Sequence, residues 1–186
     1  MSQSVRIRLP FLLTSALLAV TALAADSNLN AAKSTIVATF KQTGVPVDST
    51  FKTFTGRIVY DPANVAGATA SIEVVTGSWD IGDESYNAEV RKKQWFDSAT
   101  YPKATFKSTA IKSTGAGKFD ATGTLTLKGR ALTITVPITV KKTAEGNAFD
   151  GALVISRKAF GLGDPIWEDV LEDKVNVRFH LVSPGR

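Results

Sequence analysis

Residues 119–140 read FDATGTLTLKGRALTITVPITV. Leu125 and Leu127 alternate with Thr124 and Thr126. After Gly129, Leu132, Ile134, Val136, Ile138 and Val140 alternate with Thr133, Thr135 and Thr139. Strict period two with β-branched residues on both faces specifies half-buried strands, and the glycine between the runs marks a hairpin turn. Pro137 falls on the threonine face. A proline cannot donate to a ladder, so it predicts an edge, bulge or bend at that point.

The same period extends outward in both directions. Thr35 to Phe40 places Ile36, Ala38 and Phe40 on one face, and Phe51 to Tyr60 reads as a second strand stopped by Asp61-Pro62. Ala68–Val75, Ala104–Ile111, Phe149–Ser156 and Lys174–Val182 read as further strands. Gly115, Gly117 and Gly146-Asn147 punctuate them as turns. Only residues 83–94 break the pattern. Tyr86 and Val90 are four apart, Asp83 stands where a cap is needed, and Trp95-Phe96 follows, so a short helix is expected there. Eight short antiparallel strands must hide their edges. Closure into a barrel removes the edges, while a two-sheet sandwich only manages them. The expected fold is all-β: an antiparallel eight-stranded barrel with a short helical insertion, the sandwich remaining the alternative. A barrel of that size is either filled by its own side chains or holds one small ligand, and periodicity leaves both open.

The first residues differ from the rest. Arg6 and Arg8 precede the apolar run 10–24, which ends in Ala22-Leu23-Ala24. This reads as a secretory signal peptide over residues 1–24, with a single domain over 25–186 and export to the periplasm. The 186-residue chain has no cysteine, so an exported domain must rely on core and sheet rather than disulfides. The formal charge of +5 falls to about +3 without Arg6 and Arg8. Only Arg91-Lys92-Lys93 forms a basic cluster, which argues against nucleic acid as a partner.

Catalytic patterns are weak. His180 is the one histidine and falls on the polar face of the last strand, so it reads as solvated. It has no cluster of zinc-ligand type around it, and the Gly-x-Ser-x-Gly elbow is absent. Asp80, Asp83 and Glu84 form one acidic cluster and Asp164, Glu168, Asp169, Glu172 and Asp173 another; neither fits the calcium-loop template, and either reads as a solvated loop with a salt bridge to the Arg91 cluster. No catalytic residue, metal or catalytic cofactor is assigned. The aromatic residues are more telling. Phe40, Phe51, Phe54, Trp79, Trp95, Phe106, Phe149, Phe160 and Phe179 are large enough either to fill the core or to line a cavity. Trp167 lies outside any strong strand, in the connection 161–173, and could cap one end of a barrel.

Several motifs resemble the YceI-like family of small bacterial periplasmic proteins. They are Phe54-Thr-Gly56 followed by Asp61-Pro62, Trp95-Phe96-Asp97, and Tyr101-Pro102-Lys-Ala-Thr-Phe106-Lys-Ser108. Gly123-Thr-Leu-Thr-Leu-Lys-Gly129 and Ile155-Ser-Arg157-Lys-Ala-Phe160-Gly161 complete the set. The resemblance implies an extended lipocalin-like barrel that binds a long amphiphile, notably an isoprenoid quinone or polyisoprenoid, in an apolar tunnel. It also implies links to stress responses and transient contact with a membrane or membrane cytochrome. Where the family commonly has a histidine, Gln42 stands here. It can donate a hydrogen bond but does not titrate near neutrality. The family's acidic-basic pair in the helical insertion is replaced by Asn87-Ala88-Glu89.

The expectation is therefore a carrier or store of a long amphiphile. The apolar residues above line its site, and Gln42, Arg157 or Asp97 meet the head group. A fatty-acid or fatty-amide carrier, and a solidly packed stress-related interaction protein, are the alternatives. Pairing of two chains through the barrel side is left open.

Overall fold

The computed structural model describes residues 29–184. The expected signal peptide, residues 1–24, lies outside them. Ten strands and one α-helix follow in chain order: β1 Thr35–Gln42, β2 Val45–Phe51, β3 Phe54–Val59, β4 Thr69–Val75, β5 Trp79–Asp80, α1 Glu84–Val90, β6 Lys103–Gly115, β7 Lys118–Leu127, β8 Arg130–Thr143, β9 Gly146–Ser156 and β10 Lys174–Ser183. All pairings are antiparallel, in the order β3-β4-β6-β7-β8-β9-β10-β1-β2-β5.

Two expectations are corrected here. The sheet has ten strands rather than eight, and it is an open curl rather than a closed barrel. The expected second strand, 51–60, is split at Lys52-Thr53. Before the split, Val45–Thr50 pairs with β1; after it, Phe54–Val59 pairs with β4. The chain thus changes neighbours at the split, with Lys52 N–H donating to Ser78 O and Val75 N–H to Thr53 O. β2 and β3 are consecutive in the chain, so the sheet curls until covalent continuity joins its two sides. The curl is also incomplete between β8 and β9. Their pairing covers Ile138–Thr143 against Gly146–Gly151 and stops beside Pro137. Pro137 itself stays in register with Asp120 of β7. Its missing donor thus coincides with the place where β8 parts from β9.

Residue chemistry places the other elements. Asp83 caps α1, its carboxylate accepting from Ser85 N–H and Tyr86 N–H. The helix is shorter than the expected 83–94. The carbonyls of Val90, Arg91 and Lys92 accept from Phe96, Ser98 and Asp97 N–H, which folds the chain back before another turn forms. Buried Asn87 pins the helix to β5, donating to Asp80 Oδ1 and accepting from Ile81 N–H. β6 and β9 are longer than expected. Gly146 begins β9 rather than sitting in a turn, and β6 carries irregularities at Ser108/Ala110 and Ser113/Gly115. Such bulges add twist and help a sheet curl.

Inward side chains pack into two clusters. Ile36, Phe54, Ile58, Phe149 and Leu181 form one, with Ile72, Ile138 and Phe179 against it. Leu127, Phe160 and Leu162 form the other, joined by Phe96, Leu125 and Ile155. The antiparallel path sorts the connections into two ends. The β1–β2 turn, the 76–102 connection with α1, the β7–β8 turn and the 157–173 connection gather at one end. Residues 61–68 and the β6–β7 and β8–β9 turns gather at the other.

Candidate functional site

A cavity of about 410 Å³ runs inside the curl and touches both clusters. That volume falls within the usual range for small-molecule sites, about 300–1,000 Å³. Its floor is aromatic: the Tyr60 ring packs edge-on against Phe119 at 5.7 Å and Phe149 at 5.6 Å. Higher up, Phe40 lies 6.4 Å from Trp79 and Phe51 packs edge-on against Phe96 at 5.9 Å. The lining is overwhelmingly aliphatic and aromatic. Its amide and charged members are Gln42, Glu89, Arg157 and Glu172. All four belong to the end formed by α1 and the 157–173 connection. The cavity is therefore amphiphilic along its length.

The polar end is built around Arg157, whose side chain is only 6% exposed. Its Nε donates to Glu172 O at 3.1 Å, Nη1 to Leu162 O at 3.0 Å, and Nη2 to Leu171 O at 2.8 Å and Glu168 Oε2 at 3.4 Å. One guanidinium thus gathers three carbonyls of the mouth connection. β1 holds the same segment from the other side: Thr43 N–H donates to Val170 O, Glu172 N–H to Lys41 O, and Gln42 bridges to Leu171. Lys128 Nζ donates to Gln94 O and Gly161 O, tying two connections together. Its partial burial lowers its pKa, against the raising influence of Asp97.

Residues 28–183 match the YceI-like domain. The chain belongs to this family. Burkholderia cenocepacia BcnA is 43% identical, and its crystal structure superposes with a TM-score of 0.80 over 82% of this chain and 98% of that one. A polyisoprenoid binding domain from Saccharophagus degradans shares the fold, with a TM-score of 0.70 at 23% identity over 85% of this chain and 97% of that one. The UPF0312 protein of Pseudomonas savastanoi pv. phaseolicola is 32% identical over 129 residues. That match spans 64% of this chain and 65% of the relative.

Within this YceI-like domain, Phe40, Gln42, Phe51, Trp79, Trp95, Phe106, Phe149, Arg157 and Trp167 all line the cavity. Phe54 and Phe160 do not. Phe54 belongs to the floor-side cluster, and Phe160, 1% exposed, fills the cluster behind the mouth. Asp97 is also outside the lining; its Oδ1 accepts from the Thr100 hydroxyl. Arg157, expected at a ligand head, is occupied chiefly by backbone carbonyls.

Sequence reasoning missed the lining aromatics Tyr60, Phe96 and Phe119, and also Glu89, Leu162, Leu171 and Glu172. Tyr86, Glu89 and Val90 occupy i, i+3 and i+4 of α1 and so share one helix face. Extending the apolar stripe to Glu89 would have found it. The acidic run is exposed at Glu168, Asp169 and Glu172, as expected of a solvated loop, but several of its carboxylates are engaged. Asp164 caps the 3-10 turn Pro165–Trp167, Glu168 pairs with Arg157 and Lys158, and Asp173 accepts from Ser156 Oγ and Lys158 N–H. The expected bridge to the Arg91 cluster forms from the first acidic cluster, as an Arg91–Glu84 pair at 2.9 Å, and not from the 164–173 run. His180 lies on the outer face as expected, half-exposed, but pairs with Asp150 at 2.6 Å.

Three carboxyl groups at this end, those of Glu89, Glu168 and Asp173, are held low. For Glu89 the main cause is the Lys92 ammonium, and burial opposes it. For Glu168 it is Lys158, again against burial. For Asp173, burial pushes upward, but hydrogen bonds from Lys158 N–H and Ser156, with the Lys174 and Lys158 charges, outweigh it.

Proposed function

We propose that this YceI-like protein binds, stores or carries a long apolar amphiphile in the bacterial periplasm, with an isoprenoid quinone or polyisoprenoid as the best fit. The observation that carries this reading is the distribution of polarity along the cavity: an aromatic floor, an apolar shaft, and charged and amide side chains confined to one end. A tail would lie along the shaft and a head group would rest beneath α1 and the mouth connection. Each buried methylene contributes about 0.8 kcal/mol, so one five-carbon prenyl unit contributes roughly 4 kcal/mol before ordering costs. The polyisoprenoid-binding description of the Saccharophagus degradans domain agrees with this chemistry.

The role is read as non-enzymatic. The polar lining residues Glu89, Arg157 and Glu172 are engaged with neighbouring groups, and His180 lies on the outer face. A cavity of about 410 Å³ speaks against the solidly packed interaction protein. Exposed Val45, Tyr86 and Ile166 at the mouth end offer an apolar rim for transient contact with a membrane surface during loading.

All three tryptophans line the cavity, so intrinsic fluorescence reports on binding. Delipidated protein titrated with prenyl quinones of increasing tail length should show saturable quenching, with affinity rising until the shaft is full. The absence of saturable binding at every length would overturn the proposal.

A further inference from the structure

Trp95 follows α1, and its ring lines the cavity at the polar end. Its Nε1 is buried and has no hydrogen-bond partner; among the described residues no other buried side-chain nitrogen or oxygen shares that condition. Native proteins seldom leave a buried donor unmatched, because losing water without gaining an acceptor is unfavourable. The indole is near enough to Glu89 to help depress its carboxyl group. No acceptor, Glu89 included, meets Nε1–H in hydrogen-bonding geometry. The Glu89 carboxylate is instead engaged through Oε2 by Lys92 Nζ at 2.5 Å.

Charge at this end points the same way. Arg157 is the one cation that lines the cavity among the described residues, and its guanidinium is committed to three carbonyls and Glu168. Glu89 and Glu172 are the other charged lining groups. A carboxylate head would enter an apolar cavity beside two carboxylates, each paired with a lysine outside the lining, and would find no uncommitted cation there. A neutral oxygen would meet an available donor.

We infer that Trp95 Nε1–H is the head-group donor of this cavity and that Glu89 excludes anions from it, so the site selects amphiphiles with a neutral, accepting oxygen, as a hydroxyl or carbonyl, over carboxylates. This rests on the amphiphile reading above and specifies its head group.

The test uses prenyl ligands of one tail length: an alcohol, a carboxylic acid and an oxygen-free hydrocarbon, titrated calorimetrically near neutral pH. The alcohol should bind about tenfold more tightly than either of the others, the difference made by one good hydrogen bond. Trp95→Phe keeps an aromatic ring and removes the donor. It should erase the alcohol's advantage over the hydrocarbon, whatever the change in hydrocarbon affinity itself. Glu89→Gln should bring the acid to within about threefold of the alcohol. In the unmodified protein, the Trp95 indole proton resonance should move downfield when alcohol binds, a readout independent of variant folding.

If the acid binds best, or the indole resonance stays in place while alcohol saturates the protein, the head-group inference fails and the amphiphile reading survives. An unchanged alcohol-to-hydrocarbon ratio in Trp95→Phe has the same consequence. If none of the three ligands binds, both fail.

Discussion

Replacing Arg157 by alanine would remove the group that gathers the mouth connection. The side chain is 6% exposed and donates to the carbonyls of Leu162, Leu171 and Glu172. Charge-assisted hydrogen bonds of this kind are worth about 1.5–3 kcal/mol each. A simple sum overstates the loss, because the substitution also relieves a buried charge and admits water to some of the carbonyls. The expected destabilisation is about 3–5 kcal/mol, in line with removal of one partner from a buried charged cluster. For a domain of this size that lowers Tm by roughly 6–20 °C. Arg157→Lys should recover only part of it, since an ammonium cannot reproduce the planar fork. Urea unfolding followed by tryptophan fluorescence gives the free energy, and hydrogen exchange locates the loosening, which should concentrate in residues 158–173. A loss below about 1 kcal/mol with unchanged exchange in that segment would refute the assignment of Arg157 as the mouth's anchor.

Phe160→Ala, at a ring 1% exposed behind the mouth, should cost about 3–5 kcal/mol in the same unfolding assay, with most of the prenyl affinity of the folded fraction retained. Gly151→Ala would place a methyl 2.4 Å from Phe179 Cζ, pushing the ring about 1 Å toward ordinary contact distance. Because Phe179 lines the cavity, the longest prenyl tail that fits should shorten, which titration with a tail-length series would show, and stability should fall by about 1–3 kcal/mol. Asp173 and Glu168 have folded-state pKa values below their ordinary ones, so their stabilising contribution is complete above the unfolded carboxylate range near about 4 and is lost as pH falls through the lowered values. Exchange in the mouth connection, corrected for intrinsic rates, should be flat from about pH 8 to 5 and rise only below about 4; a midpoint above about 5 would contradict this.

Alternation made the sheet legible, because period two is a local property of β7, β8 and β10. Closure was not legible. Whether Phe51–Tyr60 is one strand or two depends on which neighbour each half meets, and Lys52-Thr53 carries no glycine or proline to announce the change. Pro137 gave a true local signal, a missing donor, but only the register showed that the gap faces β9. At the site, ring size brought out many of the cavity-lining aromatics but not Tyr60, Phe96 or Phe119. It could not separate them from Phe54 and Phe160, since lining and core residues share one chemistry and differ only in what stands opposite. Arg157 was expected at a ligand head, yet its partners are backbone carbonyls from a connection whose path no side-chain pattern encodes. Glu89 was hidden by its charge, although its helical spacing from Tyr86 places it on the cavity face.

The most direct test of the central claim is native mass spectrometry of the protein isolated from its own cells, followed by organic extraction and identification of what is released. The cavity predicts one long amphiphile per chain, with a prenyl or comparably long apolar tail and a neutral oxygen-bearing head. Protein that carries no such molecule, and takes up none when offered prenyl quinones and alcohols, would contradict it.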